Sequence, residues 1–215
     1  MTLNLGALLA HSSGKHPDTI ALIENSRQFH YAEVDLLARR LAGALHDLNV
    51  GNGDHVALLS PNCSAFTISY FGILYAGAVV VSLNTLQSAD ELTFQLTNSE
   101  ATTLIVHGDC QATGLTAFNR VPNCRHLISI DFGNSIAANS DAIPFETLVA
   151  EEAEAEVFPT MPDDTAVIQY TSGTTGTPKG AELSHFNLYY NAQYISERGF
   201  SLWPDQINIL GPGHV

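Results

Sequence analysis

Residues 166–180 read AVIQYTSGTTGTPKG, and no other stretch of the chain restricts its fold and chemistry as strongly. The first five of these residues have the length and the β-branched content of a buried strand. In the ten residues that follow, only Pro178 and Lys179 are not Gly, Ser or Thr. Glycine lets successive backbone N–H groups approach an anion, and hydroxyl and ammonium groups add further donors. The pattern therefore predicts a strand that runs into a phosphate-binding loop.

Two other interpretations of this segment are less consistent with its residues. A flexible Gly/Ser/Thr linker has no need of a rigid Pro178 beside Lys179, nor of an apolar strand that leads directly into it. A Walker loop, G-x-x-x-x-G-K-[ST], would begin at Gly173 and place Lys179 correctly. However, Pro178 stands in place of the second glycine and Gly180 in place of the Mg²⁺-binding hydroxyl residue. The Walker pattern thus fails at two of its four fixed positions.

The rest of the chain alternates between strand and helix patterns. A hairpin is predicted around Glu24, Asn25 and Ser26, and an amphipathic helix over residues 32–48. A capping box formed by Ser88 and Glu91 opens another helix that ends near Asn98. Further predicted elements are strands at residues 56–60, 79–83, 103–106 and 127–130 and a helix at residues 64–76, whereas residues 133–141 are predicted to form a loop. This alternation predicts an α/β fold with a largely parallel sheet and flanking helices.

Length and charge limit the classes of partner. The chain has 215 residues with 45% hydrophobic content, which is enough for one sizeable core. Its formal net charge of −14 argues against nucleic acid or an anionic membrane as a partner, because both attract basic patches. The simplest explanation of this acidity is solubility. Lysine occurs only at Lys15 and Lys179.

The cysteines and the apolar stretches indicate a cytoplasmic protein. Cys63, Cys110 and Cys124 are odd in number and widely spaced, which suits buried thiols in a reducing compartment. The N-terminus lacks the basic region of a signal peptide. The longest apolar stretch, residues 71–83, is too short to span a bilayer and is predicted to be a helix end, a turn and a buried strand.

An acidic patch precedes the strand and loop. It alternates carboxylates with alanine, which predicts a solvated surface or a helix start rather than a metal site. Its members are Glu151, Glu152, Glu154 and Glu156. The histidines form no HxxH or HExxH pattern, so a zinc site is not expected.

Residues 170–180, YTSGTTGTPKG, resemble the phosphate loop of the adenylate-forming (AMP-binding) superfamily, which includes acyl-CoA synthetases, luciferases and peptide-synthetase adenylation domains. Such enzymes use Mg-ATP to convert a carboxylic acid to an acyl-adenylate and then pass the acyl group to an acceptor. The resemblance extends over almost the whole chain. Residues 77–84, GAVVVSLN, resemble the segment GAVVVPLN of many acyl-CoA synthetases, although Ser82 replaces the usual Pro. Asn84, Thr175 and residues 181–185, AELSH, favour the acyl-CoA ligase branch, most like the bacterial long-chain fatty-acid-CoA ligases.

The resemblance implies a role for each residue of the loop. Thr171 would take part in Mg²⁺ coordination, and Lys179 would contact phosphate oxygens of ATP. The remaining ATP-binding residues would be Ser172, Gly173, Thr174, Thr175, Gly176 and Thr177. His214 would match a histidine that lines the acid pocket, although Pro212 and Gly213 depart from that motif and a solvent-facing histidine is an equally good interpretation. No catalytic residue is assigned.

The family pattern continues beyond the segments found in this chain. The adenine- and ribose-binding segments, the Glu that helps to hold Mg²⁺ and the C-terminal lid with its lysine have no counterpart here. Residues 1–215 are therefore interpreted as the N-terminal part of the large AMP-binding domain of an acid-thiol ligase that uses ATP, Mg²⁺ and CoA. We expect this piece to be inactive alone and to self-associate through apolar surface. Two alternatives stay open: a truncated non-catalytic homologue that acts as an interaction module, and the N-terminal part of an aryl-acid or luciferase-type enzyme.

Overall fold

The structure, a computed structural model, describes residues 4–131, 141–150, 153–171 and 178–194. Strands and helices alternate along these residues. The strands are β1 (Ile20–Glu24), β2 (Arg27–His30), β3 (His55–Leu59), β4 (Val79–Ser82), β5 (Thr103–His107), β6 (His126–Ile130), β7 (Ile143–Pro144), β8 (Thr165–Thr171) and β9 (Lys179–Ser184). The helices are α1 (Leu5–Lys15), α2 (Tyr31–Asp47), α3 (Ser64–Tyr75), α4 (Ala89–Asn98), α5 (Gln111–Phe118), α6 (Phe145–Ala150) and α7 (His185–Tyr194).

One seven-stranded sheet organises the described residues, in the order β7-β6-β5-β3-β4-β8-β9. Every neighbouring pair in it is parallel except β8 and β9, which are antiparallel. Strands β1 and β2 form the separate hairpin predicted around Asn25. The predicted α/β fold with a largely parallel sheet is thus confirmed.

Helices cover both faces of the sheet. Leu41 of α2 and Ile73 of α3 pack on one face with Leu58 of β3. Leu96 of α4 packs on the other face with Leu104 of β5. This sidedness follows from right-handed crossovers, because α3 leads from β3 to a neighbour on one side, whereas α4 and α5 lead to strands on the opposite side. The strands are buried on both faces, which explains their continuous apolar sequences.

A partly buried polar network fixes α2 against α3. The Tyr75 hydroxyl donates to Asp35 Oδ1 at 2.5 Å, and Arg39 Nε donates to Asp35 Oδ2 at 2.9 Å. Burial raises the pKa of Tyr75, and the hydrogen bond to Asp35 raises it further. The phenol therefore stays protonated and able to donate, which satisfies a carboxylate that is mostly shielded from water.

Helix α4 begins as its sequence predicts. Ser88 Oγ accepts a hydrogen bond from the Glu91 N–H, and the Glu91 carboxylate accepts one from the Ser88 N–H. This reciprocal arrangement satisfies two backbone donors at the helix start. The helix ends at Asn98, as expected.

The cysteines occupy structural positions. Cys110 and Cys124 are buried, and burial raises the pKa of Cys124 to about 12. Cys63 is half-buried and forms the N-cap of α3, where its Sγ accepts from the Phe66 N–H. All of them are free thiols, which agrees with the predicted packing role.

Six elements were not predicted from the sequence, namely α1, α5, α6, α7, β7 and β9. Within the acidic patch, Glu154 and Glu156 are exposed and no helix begins there, so the solvated-surface interpretation holds for them and the helix-start alternative is wrong. Glu151, Glu152 and most of the predicted loop at residues 133–141 lie outside the described residues. Among the described helices, none combines the length and hydropathy that a bilayer crossing requires.

Candidate functional site

Strands β8 and β9 present the two ends of the predicted phosphate loop side by side. Thr171, the last residue of β8, pairs directly with Lys179, the first residue of β9. Antiparallel partners have Cα atoms only about 4.5–5.5 Å apart, so the connection starts and finishes at almost the same place. The strand predicted at residues 166–170 is confirmed. Residues Ser172, Gly173, Thr174, Thr175, Gly176 and Thr177 lie outside the described residues, and their roles stay predictions.

The β8–β9 hairpin connection lies at the side of the sheet where the parallel strands have their carboxyl ends. Strand β8 runs parallel to β4, with Ser82 opposite Gln169, so Thr171 extends past the carboxyl end of β4. Ligands of open α/β sheets bind outside the carboxyl ends of the strands. Thr171 and Lys179 are both exposed there.

These two side chains suit phosphate. The Thr171 hydroxyl can donate a hydrogen bond or bind a metal ion, and the Lys179 ammonium supplies a full positive charge in an acidic protein. Within the described part of the chain, no carboxylate forms an ion pair with Lys179.

Magnesium would need more oxygen ligands than Thr171 alone. The ion prefers octahedral coordination by carboxylates, phosphates and water. Residues 4–131, 141–150, 153–171 and 178–194 contain no group of three or more His, Cys, Asp or Glu side chains placed to hold a metal ion. The role of Thr171 in Mg²⁺ coordination therefore stays a prediction.

Tyr170 and Gly180 flank Thr171 and Lys179, and the sequence motif alone indicates no separate role for either of them. They are partners in the β8–β9 ladder. The Tyr170 hydroxyl donates to Asn98 Oδ1 at 2.7 Å and lies 3.3 Å from the Gln95 carbonyl oxygen, both on α4. A Cβ atom added to Gly180 would lie 3.3 Å from Cζ of Tyr170 and 2.9 Å from Cγ2 of Ile168. Glycine therefore lets the ring lie against β9.

Two recesses lie near α4. The larger, about 300 Å³, is lined by Leu96, Thr97, Glu100, Arg120, Val121, Pro122 and Asn123. The smaller, about 140 Å³, is lined by His55, Asn98, Ser99, Glu100, Ile168, Tyr170, Gly180 and Glu182. Neither includes Thr171 or Lys179, so the candidate site rests on the strand geometry rather than on a cavity.

Asn84 has a local structural role. Its Oδ1 accepts a hydrogen bond from the Leu86 N–H at 2.9 Å, which closes a turn after β4. The residue that favours the acyl-CoA ligase branch thus shapes the connection from β4 to α4. His214, predicted to line an acid pocket, lies outside the described residues, and its role stays a prediction.

His185, at the end of the AELSH segment, is almost completely buried. Its Nδ1 accepts a hydrogen bond from the Leu5 N–H at 3.2 Å and so joins the start of α7 to the start of α1. Burial lowers the pKa of His185, and the nearby Asp164 offsets part of this effect. The folded state therefore favours the neutral imidazole of His185.

The lowered pKa predicts a loss of stability in mild acid. Because the folded state favours neutral His185, its contribution is complete above the ordinary pKa of 6.5 and is lost as the pH falls through the lower folded-state pKa. Urea unfolding between pH 7 and pH 5 should show a declining free energy of unfolding. His185→Asn, which keeps an acceptor near the Nδ1 position, should show a smaller decline.

The exposed His11 offers a matched control, since His11→Asn should leave the decline unchanged. Burial also lowers the pKa of His126, which accounts for part of the decline that His185→Asn retains. An equal decline in the wild type and in His185→Asn would contradict the assignment.

The chain matches one described protein family and many of its members. The family described as "AMP-binding enzyme" matches residues 9–212. A crotonobetaine/carnitine–CoA ligase of Salmonella arizonae is 32% identical over 86% of this chain and 37% of its own length. A long-chain-fatty-acid–CoA ligase of Bacillus subtilis is 28% identical over 96% of this chain and 41% of its own length.

A solved structure of a CoA ligase is also similar to this chain. An anthranilate CoA ligase in complex with anthranoyl-AMP superposes with a TM-score of 0.85 and 26% identity, over 92% of this chain and 38% of that protein. The chain thus spans about two fifths of the length of the proteins it matches.

Proposed function

Because this chain belongs to the AMP-binding enzyme family, we propose that residues 1–215 are the N-terminal part of the large domain of an ATP-dependent acyl-CoA ligase. The observation that carries the proposal is the pairing of Thr171 with Lys179 at the carboxyl end of β8. It supports the proposal because ligands of open α/β sheets bind outside the carboxyl ends of the strands.

The loop would hold ATP while the acid is activated. The parent enzyme would join a carboxylic acid to the adenylyl group of ATP, release pyrophosphate and transfer the acyl group to CoA. Such chemistry depends mainly on positioning and electrostatic stabilisation. Lys179 would neutralise and orient the phosphates that leave as pyrophosphate, Thr171 would bind Mg²⁺, and residues 172–176 would donate hydrogen bonds.

A fatty acid is the first candidate for the acid substrate. The GAVVVSLN and AELSH segments and the B. subtilis relative support it. An aryl acid is the second candidate, which the similarity to the anthranilate CoA ligase favours. CoA-thioester formation by the complete gene product with a panel of fatty and aryl acids separates the two.

The 215-residue piece alone should have little activity, because it would contain only one half of the ATP site.

The DNA beyond the codon for Val215 tests whether these residues are part of a longer ligase. A reading frame that continues into a YGxTE-like segment and a C-terminal lysine motif supports the proposal. An immediate stop codon would contradict it and favour a truncated interaction module.

An exposed aromatic face should drive self-association of the isolated piece. Phe186, Tyr190 and Tyr194 stack along α7 with centroid separations of 5.9 and 6.2 Å. Their exposed fractions are 39%, 58% and 51%. Association of two copies would remove these rings from water, which is favourable in proportion to the apolar area buried.

Sedimentation equilibrium tests this prediction. We expect dimers or larger species at high concentration, and an association constant about tenfold lower when Tyr190 and Tyr194 are both changed to Ser. Leu86→Ser, at a single apolar side chain that is 91% exposed, is the control and should leave association unchanged. A monomeric wild type at high concentration would contradict the prediction.

We also propose that the protein acts in the cytoplasm. The free thiols of Cys63, Cys110 and Cys124 suit a reducing compartment, where ATP and CoA are also available.

A further inference from the structure

We propose that Tyr170 is a positioning residue for the phosphate loop and acts through its hydrogen bond to Asn98. The inference rests on the proposed function, because it assigns to Tyr170 the task of fixing the strand ends from which Thr171 and Lys179 project. We call the contact of Tyr170 with Asn98 and the Gln95 carbonyl the Tyr170 tether.

The tether joins three elements at one point. Tyr170 precedes Thr171 on β8, and its ladder partner Gly180 follows Lys179 on β9. The ring passes against Gly180, where an added Cβ would lie only 3.3 Å from its Cζ, and its hydroxyl reaches α4. Fixing one aromatic ring therefore restrains both residues that enclose the loop.

Helix α4 is a firm anchor for this contact. Its first turn is held by the Ser88–Glu91 capping box, and its side chain Leu96 is fully buried against the sheet. The hydroxyl meets the last turn, at Asn98 and at the Gln95 carbonyl that also accepts the Ser99 N–H. Strand β9 has no such support on its outer side, because it is the last strand of the described sheet.

Thr171 and Lys179 are exposed, so their own side chains do not hold the hairpin in place. Partial burial raises the pKa of Tyr170, so the hydroxyl remains a donor at neutral pH. A ligand that bridges the two strand ends binds best when their separation is already set, since the ordering cost is then met during folding.

Tyr170→Phe removes the hydroxyl and keeps the ring. In the 215-residue chain without nucleotide, amide hydrogen exchange should become about three- to tenfold faster at Thr171 and at residues 179–181, as expected for the loss of one hydrogen bond. Exchange in β3 and β5 should not change. Unchanged exchange at the strand ends, or a uniform increase through the sheet, would overturn the tether.

A titration with MgATP tests the link to the loop. We expect weak, saturable binding to the wild-type chain, and an affinity about three- to tenfold lower for Tyr170→Phe. Asn98→Ala should have a smaller effect, because the Gln95 carbonyl remains, and should add nothing in the Tyr170→Phe background. Tyr190→Phe removes an exposed hydroxyl from α7 and is the control.

The outcomes separate the two proposals. Equal MgATP affinities of Tyr170→Phe and the wild type, with Lys179→Ala impaired, would overturn the positioning role and leave the proposed function intact. Absence of MgATP binding to the wild type would overturn the positioning role together with the nucleotide-binding part of the proposed function. The exchange measurement would still decide whether the tether fixes the strand ends.

Discussion

Replacing Lys179 by Ala should lower ATP–pyrophosphate exchange by about 100-fold or more in the protein read from the complete reading frame. The exposed ammonium lies at the start of β9, opposite Thr171, where it would contact phosphate oxygens of ATP. Removing one preorganised donor from such a site typically costs this much. The free energy of unfolding should stay within about 0.5 kcal/mol of the wild type, since an exposed side chain away from the core contributes little.

Lys15 is a direct control, because it is the only other lysine among residues 1–215. It lies in the last turn of α1 and is exposed. Lys15→Ala removes the same charge and should leave the exchange rate unchanged. Equal rates for Lys179→Ala and the wild type would exclude Lys179 from the phosphate site.

Gly77→Ala should destabilise the fold by about 2–4 kcal/mol, from strain and overpacking together. Gly77 follows α3 with a φ of +80°, a backbone conformation that L-residues rarely adopt. An added Cβ would also lie 2.8 Å from the Phe158 ring, which packs beneath the turn into β4. Urea unfolding of the variant measures the sum of both costs.

Gly53→Ala separates the two costs. Gly53 also has a φ of +80°, but nothing lies within 4 Å of the position that its Cβ would take. This control should lose only the strain, about 1–2 kcal/mol. If Gly77→Ala and Gly53→Ala lowered the free energy of unfolding equally, the Phe158 ring would move aside without a loss of stability, which would contradict the overpacking term.

Elements with a local signal could be predicted from the sequence. The Ser88–Glu91 capping box predicts the start of α4, and the apolar run of residues 166–170 predicts β8. The structure has both elements at these positions. Helix α1 also has a local signal, because Asn4 caps it by accepting a hydrogen bond from the Gly6 N–H, although its short apolar stretch alone does not predict a helix.

Elements that depend on distant contacts could not be predicted. Helix α5 contains Gly114, whose missing side chain lets it approach Val106 of β5. Strand β7 has only two residues, Ile143 and Pro144, and exists through its pairing with β6.

The candidate site shows the same division. The loop sequence predicted the strand, which is confirmed, whereas the roles of Thr171 and Lys179 stay predictions. The Tyr170 tether joins Tyr170 to Asn98, which is 72 positions away in the sequence. No periodicity or motif signals such a contact, because it depends on how α4 packs beside β8.

ATP–pyrophosphate exchange by the 215-residue chain alone tests the central claim most directly. We expect no exchange above background, because this piece would hold the phosphates without the remainder of the adenylating site. The complete gene product should catalyse exchange under the same conditions with its preferred acid. Robust exchange by the 215-residue chain that disappears in Lys179→Ala would contradict the claim that it contains only one half of the site.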